Sequence, residues 1–171
     1  MGMPITVEVI DTSVTESAFD DVFAYFEYVD KKFSTYKDNS EISQINRHEL
    51  PLGESSPDMR MIFEMSEQTR LETNGYFNIQ HNGSYDPSGI VKGWSIYNAA
   101  QILRQMGFEN FYVEAGGDIQ MSGTNDQNQN WRVGIRNPFN VNEIVKVLSI
   151  TNRGVATSGT AAHAVCDYRI R

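Results

Sequence analysis

Phe111-Tyr112-Val113-Glu114 and Ile119-Gln120-Met121 stand on either side of the tripeptide Gly116-Gly117-Asp118. Two short apolar, β-prone runs split by paired glycines read as strands joined by a hairpin turn or bulge. The tripeptide also has a functional reading. Glycines let backbone approach a ligand closely, and Asp118 then fixes the loop or a ligand hydroxyl. It is not the dinucleotide fingerprint, because no helix opens after it. Downstream, Trp131 to Ile135 and Ile144 to Ile150 are strand-like, and Asn125 to Asn130 is a polar turn ahead of them. This half of the chain therefore reads as a meander of strands.

The first half is mostly helical. Ile5, Val7 and Val9 alternate with Thr6 and Glu8, which predicts a strand. Phe19, Val22, Phe23, Phe26, Val29 and Phe33 then repeat at helical spacing, with Asp20, Asp21 and Lys31 on the other face. Residues 34–56 are polar and turn-rich, a loop with room for one short helix. Ser56-Pro57 is a capping residue followed by proline, the start of a second helix whose buried side is expected from Met61, Ile62 and Met65. Asn74-Gly75 ends it and leads into a strand at Tyr76-Phe77-Asn78-Ile79. Residues 80–91 read as irregular, and a third helix is predicted from Trp94 to about Met106. The expected class is α+β, an antiparallel sheet with helices packed on one side, in a single domain over residues 1–171.

Composition narrows the function classes. A formal net charge of −8 argues against broad electrostatic binding to nucleic acid or anionic membrane. The single cysteine, Cys166, excludes an internal disulfide framework, and His48, His81 and His163 lack zinc spacing. No apolar run is long enough for a membrane-spanning helix. A nucleotide ligand remains compatible, since it needs only local amides, a cation or two, or a metal.

Glycine clusters recur where extended segments meet turns or helices: Lys92-Gly93-Trp94, Gly116-Gly117-Asp118, Trp131 to Pro138, and Thr157-Ser158-Gly159. Backbone amides presented at such places bind phosphates. Thr157 and Ser158 add hydroxyl donors, although the same residues suit an ordinary capping turn. Lys92, placed just before the predicted helix, is either a diphosphate partner or a solvated surface cation. Asp86 either caps the turn through Ser88 or binds a ligand hydroxyl or cation. Tyr36, Tyr76 and Phe77 lie in or beside loops, where aromatic rings stack on a heterocycle or close a core edge.

Taken in order, these pieces resemble the FAD:protein FMN transferases, the ApbE-type flavin transferases. The resemblance is carried by Met1-Gly2, Phe33-Ser34-Thr35-Tyr36 with Ser40-Glu41-Ile42-Ser43 and Asn46, and Asn74-Gly75-Tyr76-Phe77-Asn78. It continues through Gly89-Ile90-Val91-Lys92-Gly93, Gly116-Gly117-Asp118, Trp131 to Pro138 and Ala156-Thr157-Ser158-Gly159. It implies an ApbE-like fold related to tunnelling-fold architecture, and magnesium-dependent transfer of FMN from FAD to a threonine or serine of an acceptor protein, releasing AMP. It implies Met1 and Tyr36 near the flavin, and Tyr76, Phe77, Asn78, Asp86 and Lys92 on FAD. By the same resemblance the Gly89 carbonyl faces Mg2+, and Thr157 and Ser158 lie close to the phosphates.

The chain also departs from the family pattern. The stretch from Asn78 to Asp86 is much shorter than usual, and Asn78 stands where aspartate is common. Residues 161–171 reproduce neither the family's His-x-x-Asp-Pro-x-x-Gly segment nor the following helix with aspartate and threonine metal ligands, leaving Asp167 as a substitute. Two alternatives to an active transferase therefore stand: a non-catalytic FAD-binding or partner-binding homologue, and an inactive fragment lacking the C-terminal metal-ligand segment.

Overall fold

Alternating apolar and polar residues make strand β1 (Ile5–Val9), with Ile5, Val7 and Val9 half-buried and Thr6 and Glu8 exposed. The computed structural model describes residues 2–137 and 139–158. They fall into two compact units, Phe23–Ser95 and Gly2–Val22 with residues 96–158. The division cuts helices α1 (Glu16–Phe33) and α4 (Ser88–Gln105).

The unit Phe23–Ser95 is built on helices. Helix α2 (Glu41–Asn46) is capped by Ser40, whose Oγ accepts from the Ser43 N–H at 3.2 Å and donates to the Ser34 carbonyl at 2.7 Å. Helix α3 (Pro57–Glu72) starts as the sequence predicts, with Ser56 accepting from the Met59 N–H at 3.3 Å and proline in the first turn. Val29, Phe33, Ile42, Ile45, Met59, Ile62 and Val91 form the core, and the Trp94 ring meets Phe33 edge-on at 5.7 Å.

Three expectations are corrected in this unit. The buried side of α3 is Met59, Ile62 and Ser66, while Met61 and Met65 are exposed. Ser66 takes a buried place because its hydroxyl donates to the Ile62 carbonyl at 2.6 Å, which satisfies the polar atom internally. Residues 76–79 bend instead of forming a strand. The Thr73 hydroxyl accepts the Phe77 N–H at 3.0 Å, and pairing begins only at β2 (Gln80–His81) and β3 (Ser84–Tyr85). Their turn, Asn82-Gly83 with φ 51° and 82°, is the two-residue type that right-twisted hairpins favour. Helix α4 begins at Ser88, six residues before the predicted Trp94. Asp86 accepts the Ser88 N–H at 3.0 Å, and Pro87 opens the first turn by accepting from Ile90 and Val91. Lys92 therefore lies within the helix, not ahead of it.

The other unit carries an antiparallel sheet in the order β1-β4-β5-β8, with β4 (Phe111–Ala115), β5 (Asp118–Ser122) and β8 (Gly154–Val155). Strands β4 and β5 join through Gly116 and Gly117, both with positive φ (52° and 92°), a tight hairpin turn. A Cβ on Gly116 would lie 2.7 Å from the Met3 sulfur, so the glycine also admits that side chain. A separate hairpin, β6 (Trp131–Asn137) and β7 (Asn140–Ile150), packs Trp131, Val133, Leu148 and Ile150 against Tyr112, Ile119 and Met121. Phe111, of opposite parity on β4 to Tyr112, meets the Arg104 guanidinium of α4 at 5.6 Å. The class is α+β, as the sequence implied.

Candidate functional site

The implied ligand residues fall on both units, and each group is described within its own unit. Met1, Gly159 and Asp167 lie outside the described residues.

Within Phe23–Ser95, the central piece is the path from Asn46 to Asp86. Asn46 closes α2, and its side chain engages both polar backbone groups of Tyr85. Its Nδ2 donates to the Tyr85 carbonyl at 2.9 Å, and its Oδ1 accepts the Tyr85 N–H at 2.7 Å. The next residue, Asp86, donates its N–H to the Ile79 carbonyl at 2.7 Å, and its carboxylate accepts the Ser88 N–H. Thr35, Ser43, Asn46, His81, Tyr85 and Asp86 line one cavity of about 370 Å3. Asn78, with Phe63, Ser66, Arg70 and Tyr85, lines a second of about 400 Å3. Tyr85 borders both, its ring set edge-on against Phe63 at 4.9 Å.

Phe77 and Gly89 are brought together. A Cβ on Gly89 would lie 3.1 Å from the Phe77 ring, so the absent side chain admits the ring against the first turn of α4. Tyr36 and Tyr76 are each 96 % exposed, two aromatic surfaces left to solvent. Lys92 is half-buried in the second turn of α4.

The Ser40-Glu41 motif is structural. Glu41 accepts from both the N–H and the hydroxyl of Ser56, the latter at 2.8 Å, and pairs with Lys32 at 3.3 Å. Lys32 also lies over the Tyr28 ring at 4.8 Å. One carboxylate thus ties α1, α2 and α3. Burial works to raise the Glu41 carboxyl, but the Ser56 hydrogen bonds and the Lys32 ammonium outweigh it and hold the group below the ordinary carboxylate range.

In the other unit, Thr157 is fastened to the Gly116-Gly117 turn. Its N–H donates to Asp118 at 2.9 Å, and its hydroxyl donates to the Gly117 carbonyl at 3.2 Å. The Gly117 N–H in turn donates to Glu114 at 2.7 Å. Asp118 thus takes the loop-fixing role of its two sequence readings. Ser158, the next residue, is exposed.

Among the described residues, no group of three or more His, Cys, Asp or Glu side chains could hold a metal ion. Gly89 offers one carbonyl oxygen, and within a helix that oxygen already accepts from the residue four positions on. The described residues therefore do not fit a magnesium site. No described helix is long and apolar enough to cross a membrane.

Sequence reasoning passed over Tyr85 and assigned no task to Asn46. An asparagine directly after the apolar pair Ile42 and Ile45 was the available signal, since a short amide there can serve a neighbouring backbone.

This arrangement of sheet, hairpins and helices belongs to a known class. The ApbE family model matches residues 1–84 and 80–169. The chain belongs to the ApbE family. It is 34% identical over 87 residues to the FAD:protein FMN transferase of Haemophilus influenzae, a match covering 50% of this chain and 23% of that protein. The FAD:protein FMN transferase of Vibrio cholerae is 35% identical over 85 residues, with 49% and 23% covered. The matched part thus spans under a quarter of those curated relatives. Among solved structures, the flavin transferase ApbE from Vibrio cholerae superposes with a TM-score of 0.82 at 20% identity, covering 93% of this chain and 69% of that one. The apo form of the Pseudomonas stutzeri flavinyl transferase ApbE gives 0.76 at 19% identity, covering 91% and 64%. At such identities these superpositions establish the fold.

Proposed function

We propose that residues 1–171 act as one ApbE-type domain that binds FAD and moves its FMN moiety to a serine or threonine of an acceptor protein, releasing AMP. What carries this proposal is the family match across both halves of the chain, to a family whose relatives include FAD:protein FMN transferases. In the reaction the acceptor oxygen bonds to the FMN phosphorus and the bond to the AMP phosphate breaks. The acceptor hydroxyl gives up its proton, and AMP leaves with the bridging oxygen. Such displacement at phosphorus asks the protein for positioning and charge neutralisation rather than a covalent intermediate.

Each group of residues has a task that suits this chemistry. Tyr36 and Tyr76 present open rings on which a flavin or adenine stacks. Phe77 packs on Gly89 and holds the Tyr76-Phe77-Asn78 segment, where Asn78 faces the ligand. Asp86 shapes the start of α4 and accepts from a ligand hydroxyl, and Lys92 offers positive charge to a diphosphate. Thr157, fixed through Asp118, sets the path of the chain at Ser158, whose N–H and hydroxyl donate to a phosphate.

Magnesium stays outside this proposal, since the Gly89 carbonyl is engaged within α4 and the described residues do not fit the metal; no step is routed through it. The departures from the family pattern, Asn78 and the short stretch from Asn78 to Asp86, favour a second proposal, a homologue that binds FAD without turning it over.

The test is incubation of the 171-residue chain with FAD, with and without Mg2+, in the presence of a serine- or threonine-bearing acceptor peptide. Transfer predicts equal amounts of AMP and of flavin fixed to the peptide. Bound FAD without AMP selects the non-catalytic homologue, and no bound FAD overturns both.

A further inference from the structure

We infer that Asn46 is a positioning residue for the ligand-facing Asp86, acting entirely through the backbone of Tyr85. The inference rests on the proposed FAD site and adds a residue to it.

Asp86 sits where three backbone restraints converge. Its own N–H is held by Ile79, and the N–H and carbonyl of the preceding residue are held by the Asn46 amide at 2.7 and 2.9 Å. An amide that donates to one and accepts from the other reproduces what a neighbouring strand does in a ladder. Strand β3 is two residues long, and its ladder partner β2 is equally short. The hairpin alone is a weak support, because isolated two-stranded hairpins are marginal. Asn46 supplies the missing strand from the end of a well-anchored helix: α2 is capped by Ser40, and its Ile42 and Ile45 are buried.

The residue type is specific. Only a side chain with one donor and one acceptor at this length satisfies both Tyr85 groups. Aspartate in ionised form keeps the acceptor but sets a negative charge against the Tyr85 carbonyl. Alanine leaves both groups to water and frees the Tyr85-Asp86 step to move. A shift of about 1 Å at a positioned group is enough to spoil binding and catalysis. Asn46 itself lines the same cavity as Asp86, so the test must separate direct contact from action through Asp86.

The experiment is a double-mutant cycle on FAD affinity with Asn46→Ala, Asp86→Ala and the pair, each checked for unchanged far-UV circular dichroism. The expected result is an affinity loss of about tenfold for Asn46→Ala. The double variant should bind no worse than Asp86→Ala alone. Unchanged affinity in Asn46→Ala overturns the inference, and so do independent, multiplying losses in the pair. A wild-type chain that binds no FAD overturns the proposed function first and this inference with it.

If Asn46→Ala does not fold, Asn46→Asp carries the test, since a protonated carboxyl restores one donor and one acceptor. Asp38, Arg47, His81 and Asp86 line the same cavity, so each pH is read as the ratio to wild type. That ratio should be about tenfold at pH 8 and fall as pH drops from about 5 to about 3.5, where an aspartate takes up its proton. A ratio that stays the same at every pH overturns the inference.

Discussion

Asp118 accepts the backbone N–H of Thr157 at 2.9 Å, joining two residues 39 positions apart. The bond fixes the chain entering Ser158 to the β4–β5 turn, and the Thr157 hydroxyl closes the same link from the other side. Hydrogen bonds to a charged group contribute about 1.5–3 kcal/mol. Asp118→Ala should lose about that much in urea unfolding. Asp118→Asn, whose amide oxygen still accepts, should lose less than about 1 kcal/mol. Equal losses would show that a neutral acceptor in the same place does not sustain the link.

Gly89 and Gly93 are both glycines of α4, and their surroundings differ. A Cβ on Gly93 meets nothing within 4 Å, while one on Gly89 lies 3.1 Å from the Phe77 ring. Alanine is favoured over glycine in a helix by about 1 kcal/mol. Gly93→Ala should therefore raise the unfolding free energy by about that amount. Gly89→Ala should gain nothing or lose about 1 kcal/mol, because the ring must give way. Thermal melts of the two variants side by side decide this, and an equal gain in both would break the Phe77–Gly89 assignment.

Glu41 makes stability depend on pH with a definite sign. Its folded carboxyl titrates below the ordinary range. Its contribution is thus complete above the unfolded value of about 4.3, and it is lost as pH falls through the lower folded value. Glu41→Gln should cost about 1.5–3 kcal/mol at pH 7, through the lost charge-assisted bonds and a Lys32 left without its carboxylate. The gap to wild type should narrow as pH drops from about 5 to about 3. Denaturant unfolding across that window measures it, and a constant gap would remove the charge from the explanation.

Tyr36 and Tyr76 separate ligand binding from stability. Rings 96 % exposed hold little of the fold together. Tyr36→Ala and Tyr76→Ala should each change unfolding free energy by less than about 0.5 kcal/mol. Each should weaken FAD binding by about 1–3 kcal/mol if its ring stacks on the ligand. Titration calorimetry gives the affinity, and unchanged binding in both variants would take the rings out of the site.

Much of the fold was legible because local signals agreed with tertiary demand. Ser56-Pro57 marked the start of α3, and the Gly116-Gly117 pair marked a hairpin in which both residues take positive φ. The start of α4 was misplaced for a physical reason. Gly89 and Gly93 look like breakers, yet the capping carboxylate of Asp86 and the fixed φ of Pro87 begin the helix ahead of them. On α3, Ile62 is buried as expected, but Met61 and Met65 are not, since period alone cannot show that Ser66 satisfies its own hydroxyl within the helix. The aromatic and cationic candidates came from residue type, which sequence displays. The Asn46–Tyr85 link did not, because it joins residues 39 positions apart through backbone groups every residue shares.

The Asn82-Gly83 turn bears on where a chain of this fold can change its length. The two family matches overlap at residues 80–84, within the β2–β3 hairpin. Gln80 and Tyr85 are paired there, so the ends of any excursion are already held side by side. Closure entropy grows only with the logarithm of loop length, about 0.6 kcal/mol per doubling. The turn is therefore a port at which evolution can add or delete chain at small thermodynamic cost. Asp86 keeps its frame throughout, because its anchor reaches it from α2 and not from the loop.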